Sequence, residues 1–301
     1  MSEDNAAVLS CCASCGIAEV DELKLKECTD CDLVRYCSDE CLKEHSTYHK
    51  EACVKRAAEL RDELLFKQPE STHLGDCPIC MIPLPLDLKK LIMHSCCSKV
   101  ICNGCSHANK MREAEASLEN KCLFCREPAP FTDEEVDKQR MKRIEMNDQA
   151  AMAFQGLVHL NKGDSSSAFE YYARAAELGE MEAHCKLAEM YRVGDGVEKD
   201  RGKYLHHLEE AAIGGHPTAR YNIGCGEERN GDIKRAVKHW IIAATQGNDH
   251  SIKALMDLFK EGCVRKDDLA AALRAHQAAV DATKSVQREA AEEWQLRMKS
   301  V

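Results

Sequence analysis

The fold class expected from these 301 residues is two small metal-stapled modules followed by an all-α solenoid. Three observations lead there. Of the 19 cysteines, 16 lie between Cys11 and Cys125. Five of the intervals among them are Cys-x-x-Cys: Cys12/Cys15, Cys28/Cys31, Cys77/Cys80, Cys102/Cys105 and Cys122/Cys125. Beyond about Asn147 the texture changes to alanine-rich helical sequence punctuated by glycine, and it repeats itself.

Composition sets the setting. Hydrophobic residues make up 44% of the chain and aromatics 5%, so a core can form, built mainly from Ala, Leu, Ile, Val and Met. The net charge of −10 speaks against sequence-blind nucleic-acid binding, which needs Lys and Arg to displace counterions, and favours protein partners. No apolar run reaches the roughly 18 residues that span a bilayer. The start, Met-Ser-Glu-Asp-Asn, has no charged-then-apolar leader, so the expected location is cytoplasmic or nuclear. In a reducing compartment dense cysteine means metal rather than disulfides. Two thiolates three residues apart on a tight turn suit one tetrahedral zinc.

In chain order, residues 1–10 read as a flexible tail and 11–53 as the first zinc module. Its ligands are Cys12, Cys15, Cys28, Cys31, Cys37, Cys41, His49 and Cys53, eight donors for two ions. Cys37 and Cys41 are four apart, as are His49 and Cys53, which on a helix puts each pair on one face. Cys11 is surplus, and His45 is a surface or packing residue. Residues 54–75 read as a helical linker: Ala57, Leu60, Leu64 and Leu65 form an apolar stripe over 54–68, which Pro69 stops.

Residues 76–130 read as the second module. Cys77, Cys80, Cys102, Cys105, Cys122 and Cys125 are six of its ligands, and 106–120 reads as a helix. Cys96 and Cys97, and beside them His94 and His107, are further candidates. Within 131–147, a charged linker, Thr132 caps a helix that opens Asp133-Glu134-Glu135.

Residues 148–283 carry the repeats. Ala175-Ala176-Glu177-Leu178-Gly179 recurs as Ala211-Ala212-Ile213-Gly214-Gly215 and as Ala243-Ala244-Thr245-Gln246-Gly247, with the final glycines 36 and 32 residues apart. A period in the thirties with two helices per unit signals an α-solenoid, with a left-handed glycine ending helices. Cys185, Cys225 and Cys263 read as small apolar core residues. His206, His207 and His216 have no matching ligand pair at helical spacing. Residues 284–301 read as a C-terminal helix or tail, solvated over 284–299.

Three resemblances add to this. Arg35-Tyr36-Cys37-Ser38-x-x-Cys41 and His49-Lys50-x-x-Cys53 resemble the MYND zinc finger. That family's interleaved topology implies one zinc on Cys12, Cys15, Cys37 and Cys41, and another on Cys28, Cys31, His49 and Cys53. It also implies a proline-containing peptide ligand, although Leu42 and Ser46 stand where the family favours Gln and Trp. The second cluster resembles a cross-braced RING finger, with Lys99 in the place of the usual zinc histidine; the family's all-cysteine variant implies Cys96 and Cys97 as the remaining ligands, with His94 or His107 able to replace one of them. The resemblance implies ubiquitin transfer by positioning a charged conjugating enzyme. The resemblance gives Ile79 as the apolar contact to that enzyme and Arg126 as the hydrogen-bond donor to ubiquitin. Leu123 stands where an active RING usually has Pro. Tyr191-Arg-Val-Gly194-Asp-Gly196-Val-Glu-Lys-Asp200 resembles Sel-1-like repeats, relatives of the tetratricopeptide class, whose concave face binds proteins.

The expected function is therefore a zinc-binding ubiquitin ligase or ligase adaptor, with four zinc ions and with repeats that recruit a protein substrate. The alternative is a non-catalytic interaction scaffold with structural zinc fingers. No nucleophile triad, phosphate loop or paired-carboxylate site is visible in the sequence.

Overall fold

The computed structural model describes residues 11–19 and 24–299. The tail expected at 1–10 lies outside them. The chain divides into two compact units that part between Lys67 and Gln68.

In the first unit, β1 (Lys26–Glu27) pairs antiparallel with β2 (Arg35–Tyr36), and a long helix α1 (Asp39–Phe66) follows. Ser38 caps α1 by accepting a hydrogen bond from the Cys41 N–H, and Asp39 and Glu40 sit favourably in its first turn. Pro69 disfavours helical backbone at the residue before it, so the helix stops at Phe66. The helix expected over 54–68 is thus the second half of one helix that starts inside the zinc module. Apolar periodicity could not see its first half, because there metal-type donors replace the apolar stripe. The core is small: Cys12, Leu25 and Tyr36 are buried together.

The second unit opens with a strap, residues 68–76. Then β3 (Leu91–Met93) pairs antiparallel with β4 (Val100–Cys102), and α2 (Asn103–Glu115) follows. The helix starts three residues before the expected 106, because Cys102 itself caps it, its Sγ accepting from the Cys105 N–H. Next come α3 (Asp133–Glu145), capped by Thr132, and the paired helices α4 (Gln149–Asn161), α5 (Ser165–Glu177), α6 (Met181–Val193), α7 (Arg201–Ile213), α8 (Pro217–Arg229), α9 (Ile233–Thr245), α10 (Asp249–Lys260) and α11 (Lys266–Ala282). The last helix is α12 (Val286–Lys299).

The period is physical. Gly179, Gly215 and Gly247 take φ of 88°, 84° and 86°, the left-handed turn that follows α5, α7 and α9. Asp164, Asp200 and Asp232 repeat with the same 36- and 32-residue steps, and each carboxylate caps the helix that follows it. Tyr172, Leu208 and Trp240 occupy one equivalent position and are each 1% exposed, so a large side chain there anchors every repeat. Gly224 makes room for one of them: a Cβ there would lie 2.5 Å from the Trp240 ring.

Two expectations are corrected. Residues 286–299 are not a merely solvated helix, since α12 packs on α2 with Arg288 and Ala291 buried. Its heavy charge hid the one face that is covered. Cys263 is exposed and not a core residue, whereas Cys185 and Cys225 are half-buried, Cys225 packing against the core around Trp240. Cys263 falls in the turn after α10, where no neighbour covers it.

Candidate metal centres

Three of the five Cys-x-x-Cys segments fold into the same knuckle. The first cysteine's N–H donates to the carbonyl five residues on: Cys12 to Ile17, Cys77 to Ile82, Cys122 to Glu127. The residue four on donates back to the first cysteine's carbonyl, and its φ is positive: Gly16 (75°), Met81 (55°), Arg126 (64°). Flanking bridges, Cys11 with Ala18, Asp76 with Pro83 and Lys121 with Pro128, close each loop. Cys11 thus has a backbone role beside the knuckle. The two remaining pairs differ: Cys28 donates to the Val34 carbonyl across a wider turn, and Cys102/Cys105 open α2.

The knuckle aims amide N–H groups at sulfur, and the thiols respond. Burial pushes Cys12 up, but backbone donors from Cys15, Cys37 and Ser14 outweigh it and bring the thiol down to about 6. Cys77 behaves alike: burial raises it, while the Cys80, Cys102 and Ile79 amides bring it to about 7. Amide-bonded thiolates are the form a metal needs.

The sixteen residues named from sequence fall into four groups, in each of which the candidate ligand atoms lie within 4.8 Å of one another. In the first unit, Cys12, Cys15, Cys37 and Cys41 converge, with Cys37 3.6 Å from Cys15 and 3.5 Å from Cys41. Cys28, Cys31, His49 and Cys53 form the second group, with Cys28 3.7 Å from Cys53 and Cys31 Sγ 3.1 Å from His49 Nε2. One face of α1 supplies Cys41 to the first group and His49 and Cys53 to the second. Burial and the neighbouring His45 hold His49 below the usual imidazole range, so its ring is neutral and can donate a lone pair. His45 is spent on a hydrogen bond with the Tyr36 hydroxyl at 3.1 Å. Sequence reading missed Arg56, whose guanidinium grips the Asp32 carboxylate with two hydrogen bonds of 2.7 and 2.9 Å and so ties the Cys31 turn to the helix.

In the second unit, Cys77, Cys80, Cys102 and Cys105 form one group, with Cys77 to Cys105 and Cys80 to Cys102 both 3.9 Å. Cys96, Cys97, Cys122 and Cys125 form the other, with Cys97 to Cys122 at 3.7 Å and Cys96 to Cys125 at 3.3 Å. The members of the two groups alternate in pairs along the chain. Both Cys96 and Cys97 belong to the fourth group. His94 and His107 do not: His94 lies edge-on to Phe124 and His107 packs on Trp294.

Four sulfurs at 2.3 Å around a tetrahedral zinc stand about 3.8 Å apart. The observed sulfur separations, from 3.3 to 3.9 Å, lie near that spacing, and the donor sets are the Cys₄ and Cys₃His sets of structural sites. Without a cation so many close thiols oppose ionisation. Burial raises Cys96, and Cys125 and Cys122 raise it further; a divalent ion reverses that cost.

A fifth group, His73, Glu182 and His216, does not fit a metal. His216 caps α8, its Nδ1 accepting from the Ala219 N–H at 3.3 Å, so its proton sits on Nε2 and is donated to Glu182 Oε2 at 3.0 Å. That leaves no lone pair on His216, and His73 and Glu182 alone are two donors short of a structural site. The trio instead holds the strap: His73 stacks on His216 with ring centroids 4.0 Å apart, and the His73 backbone N–H donates to the Gly215 carbonyl. Gly215 is needed there, since a Cβ would lie 2.8 Å from the Ser71 carbonyl oxygen.

Fold and donor sets together define a class: a zinc-finger region followed by a helical repeat solenoid. Comparisons with known proteins make this specific in two regions. Residues 12–53 match the MYND finger, and residues 150–180, 182–216 and 218–248 match the Sel1 repeat. Chitin synthase regulatory factor 4 of Schizosaccharomyces pombe is 31% identical over 86 residues, 28% of this chain; the chain spans only 14% of that protein's length. A Sel1 repeat protein from Oxalobacter formigenes is similar at 23% identity and a TM-score of 0.44, over 60% of this chain and 73% of that one. The protective antigen c5321 of uropathogenic Escherichia coli, described as displaying an SLR fold, is similar at 20% identity and a TM-score of 0.39, over 57% and 37%. The MYND finger and the cysteine groups point to zinc, and Sel1 repeats are protein-interaction modules. Among the described residues, no helix is long and apolar enough to cross a membrane.

Proposed function

We propose that this protein is a non-enzymatic scaffold, stapled by four structural zinc ions, whose repeat array binds a protein partner. The observation that carries the reading is closure of the metal centres. Each group offers four side-chain donors, which fills a tetrahedral zinc and leaves no position for substrate water. The partner surface would lie on the repeats, where α6, α7 and α8 frame a groove of about 840 Å³. Tyr191, Tyr204 and Ile223 give it apolar floor, and Arg192, Arg201 and Arg229 give it donors. We take the domains as 11–53, 76–130 and 148–283, joined by the end of α1 and the strap on one side and by α3 on the other.

A second reading is favoured by one observation. Ile79 is 43% exposed at the tip of its knuckle, and Arg126 is exposed after the last cysteine. In a cross-braced RING-type module these two would hold a conjugating enzyme and its ubiquitin. Single-turnover discharge of charged conjugating enzymes onto lysine, run on the full chain with zinc content measured, tests both readings. The scaffold reading expects zinc at four per chain and no acceleration with any enzyme of a broad panel. Acceleration that Ile79→Ala abolishes at full zinc content would overturn it in favour of the ligase.

A further inference from the structure

Arg288 lies 208 residues beyond Cys80, yet its guanidinium reaches that thiol: Nη2 stands 3.5 Å from Cys80 Sγ. The same nitrogen donates to the Ile82 carbonyl at 3.0 Å, and Nη1 donates to the Pro83 carbonyl at 2.7 Å and the Thr283 carbonyl at 2.6 Å. Arg288 is 3% exposed, so its charge is buried against the knuckle that carries Cys77 and Cys80. The approach is backbone-close. A Cβ on Gly104, between the ligands Cys102 and Cys105, would lie 2.7 Å from the Arg288 backbone nitrogen. Farther along α12, Glu292 pairs with Lys90 at 2.7 Å and Trp294 packs on His107. The start of the helix therefore sits over one metal centre, and the rest of it is held beside that centre on Lys90 and α2.

A Cys₄ zinc centre carries a formal charge of roughly −2, because four thiolates outweigh one divalent ion. Burying it calls for donors to the sulfurs and for a compensating cation. The knuckle amides supply the first. A buried guanidinium supplies both, and its planar fork serves carbonyls and sulfur together. Such outer partners tune how firmly a centre holds its metal.

We propose that Arg288 is a positioning residue of the Cys77/Cys80/Cys102/Cys105 centre, and that α12 is the cover of that centre. The inference rests on the reading that this group holds zinc. Coupling runs both ways: loss of the metal loosens α12, and loss of Arg288 weakens the metal.

The test uses the full chain loaded with zinc, and a second sample loaded with cadmium. Zinc content of the wild type comes first; if this centre holds no metal, the metal reading and the inference fall together. With metal present, Arg288→Met should release one zinc about 10- to 100-fold faster to a competing chelator. The same variant should shift one cadmium NMR signal and leave the others in place. Glu292→Gln, which breaks the Lys90 contact on the same helix without touching sulfur, should shift none of them. If Arg288→Met does not fold, hydrogen exchange on the wild type decides: stripping the metal should speed exchange across 286–299. Unchanged release and cadmium signals in Arg288→Met, or exchange across 286–299 indifferent to metal, would overturn the proposal while leaving the zinc reading intact.

Discussion

At Arg126, backbone and side chain answer to different demands. Its φ of 64° belongs to the knuckle, as the equivalent Gly16 shows, while the exposed guanidinium is free for a partner. A left-handed conformation costs an L-residue roughly 1–2 kcal/mol, and glycine escapes it. Arg126→Gly should therefore keep full zinc and raise or preserve the melting temperature, although it removes the side chain. If ubiquitin transfer exists, this variant should lose it while holding its fold, which Arg126→Ala cannot separate as cleanly. A lower melting temperature for Arg126→Gly than for Arg126→Ala would show that the turn is not strained. Spacing in the sequence pointed to all five Cys-x-x-Cys pairs but could not tell a knuckle from a helix start. Cys102/Cys105 and Cys122/Cys125 read alike as letters; the hydrogen bonds that distinguish them run to Glu127 and into α2.

Among the elements, the repeat helices were legible because their signals are local: the alanine pairs, the left-handed glycines, and Asp164, Asp200 and Asp232, whose capping role the same period could have revealed. Core size was less legible, since Tyr172, Leu208 and Trp240 share one position without sharing chemistry. That position makes a prediction. Gly224→Ala pushes a Cβ to 2.5 Å from the Trp240 ring, an overpacking that should cost about 1–3 kcal/mol in urea unfolding. Gly226→Ala, where nothing lies within 4 Å of the added Cβ, is the control and should cost nothing or stabilise the helix.

The strap is the element least visible in sequence, because its partners are 100 or more residues away. Gln246 Nε2 donates to the carbonyls of Ser71 and Gly215, both at 3.2 Å, and the Thr245 hydroxyl donates to Gln68 Oε1. Burial pushes His73 down to about 3. The unfolded chain takes up a proton near the usual 6.5 and the folded protein does not, so folding loses stability as pH falls from about 6.5 towards 3. Glu182 is held down to about 2: burial raises it, but the hydrogen bond from His216 outweighs that, so it stays ionised throughout this window. Metal loss in acid affects wild type and variant alike, so the informative quantity is their difference. Wild type should lose more stability than His73→Asn between about pH 7 and pH 5, read as urea midpoints. Parallel pH profiles would show that His73 does not stay neutral.

For the whole molecule, zinc and helix are separable only in part. Structural zinc can contribute on the order of 10 kcal/mol per site, so chelation should unfold both cysteine modules. The helices from α4 to α11 carry no donors of the four groups, and their cores around Met152, Tyr172 and Leu187, and around Trp240 and Leu255, are built without metal. Far-UV circular dichroism should fall partway under chelator and then hold a plateau that melts separately. Complete loss of helix would mean that the repeats depend on the zinc modules.

The contact between Arg288 and the Cys80 knuckle also has a history in the making of the chain. The four cysteines of that centre are complete once Cys105 is synthesised, but Arg288 comes 183 residues later. At about 5–20 residues per second the gap is on the order of 10–40 seconds. For that interval every nascent chain presents Cys77, Cys80, Cys102 and Cys105 without their arginine, and the groove on α2 where Gly104 awaits a helix stays bare. Oxidants, wrong metals and neighbouring nascent chains meet the centre first in that form, so the arrival of α12 decides when it is sealed.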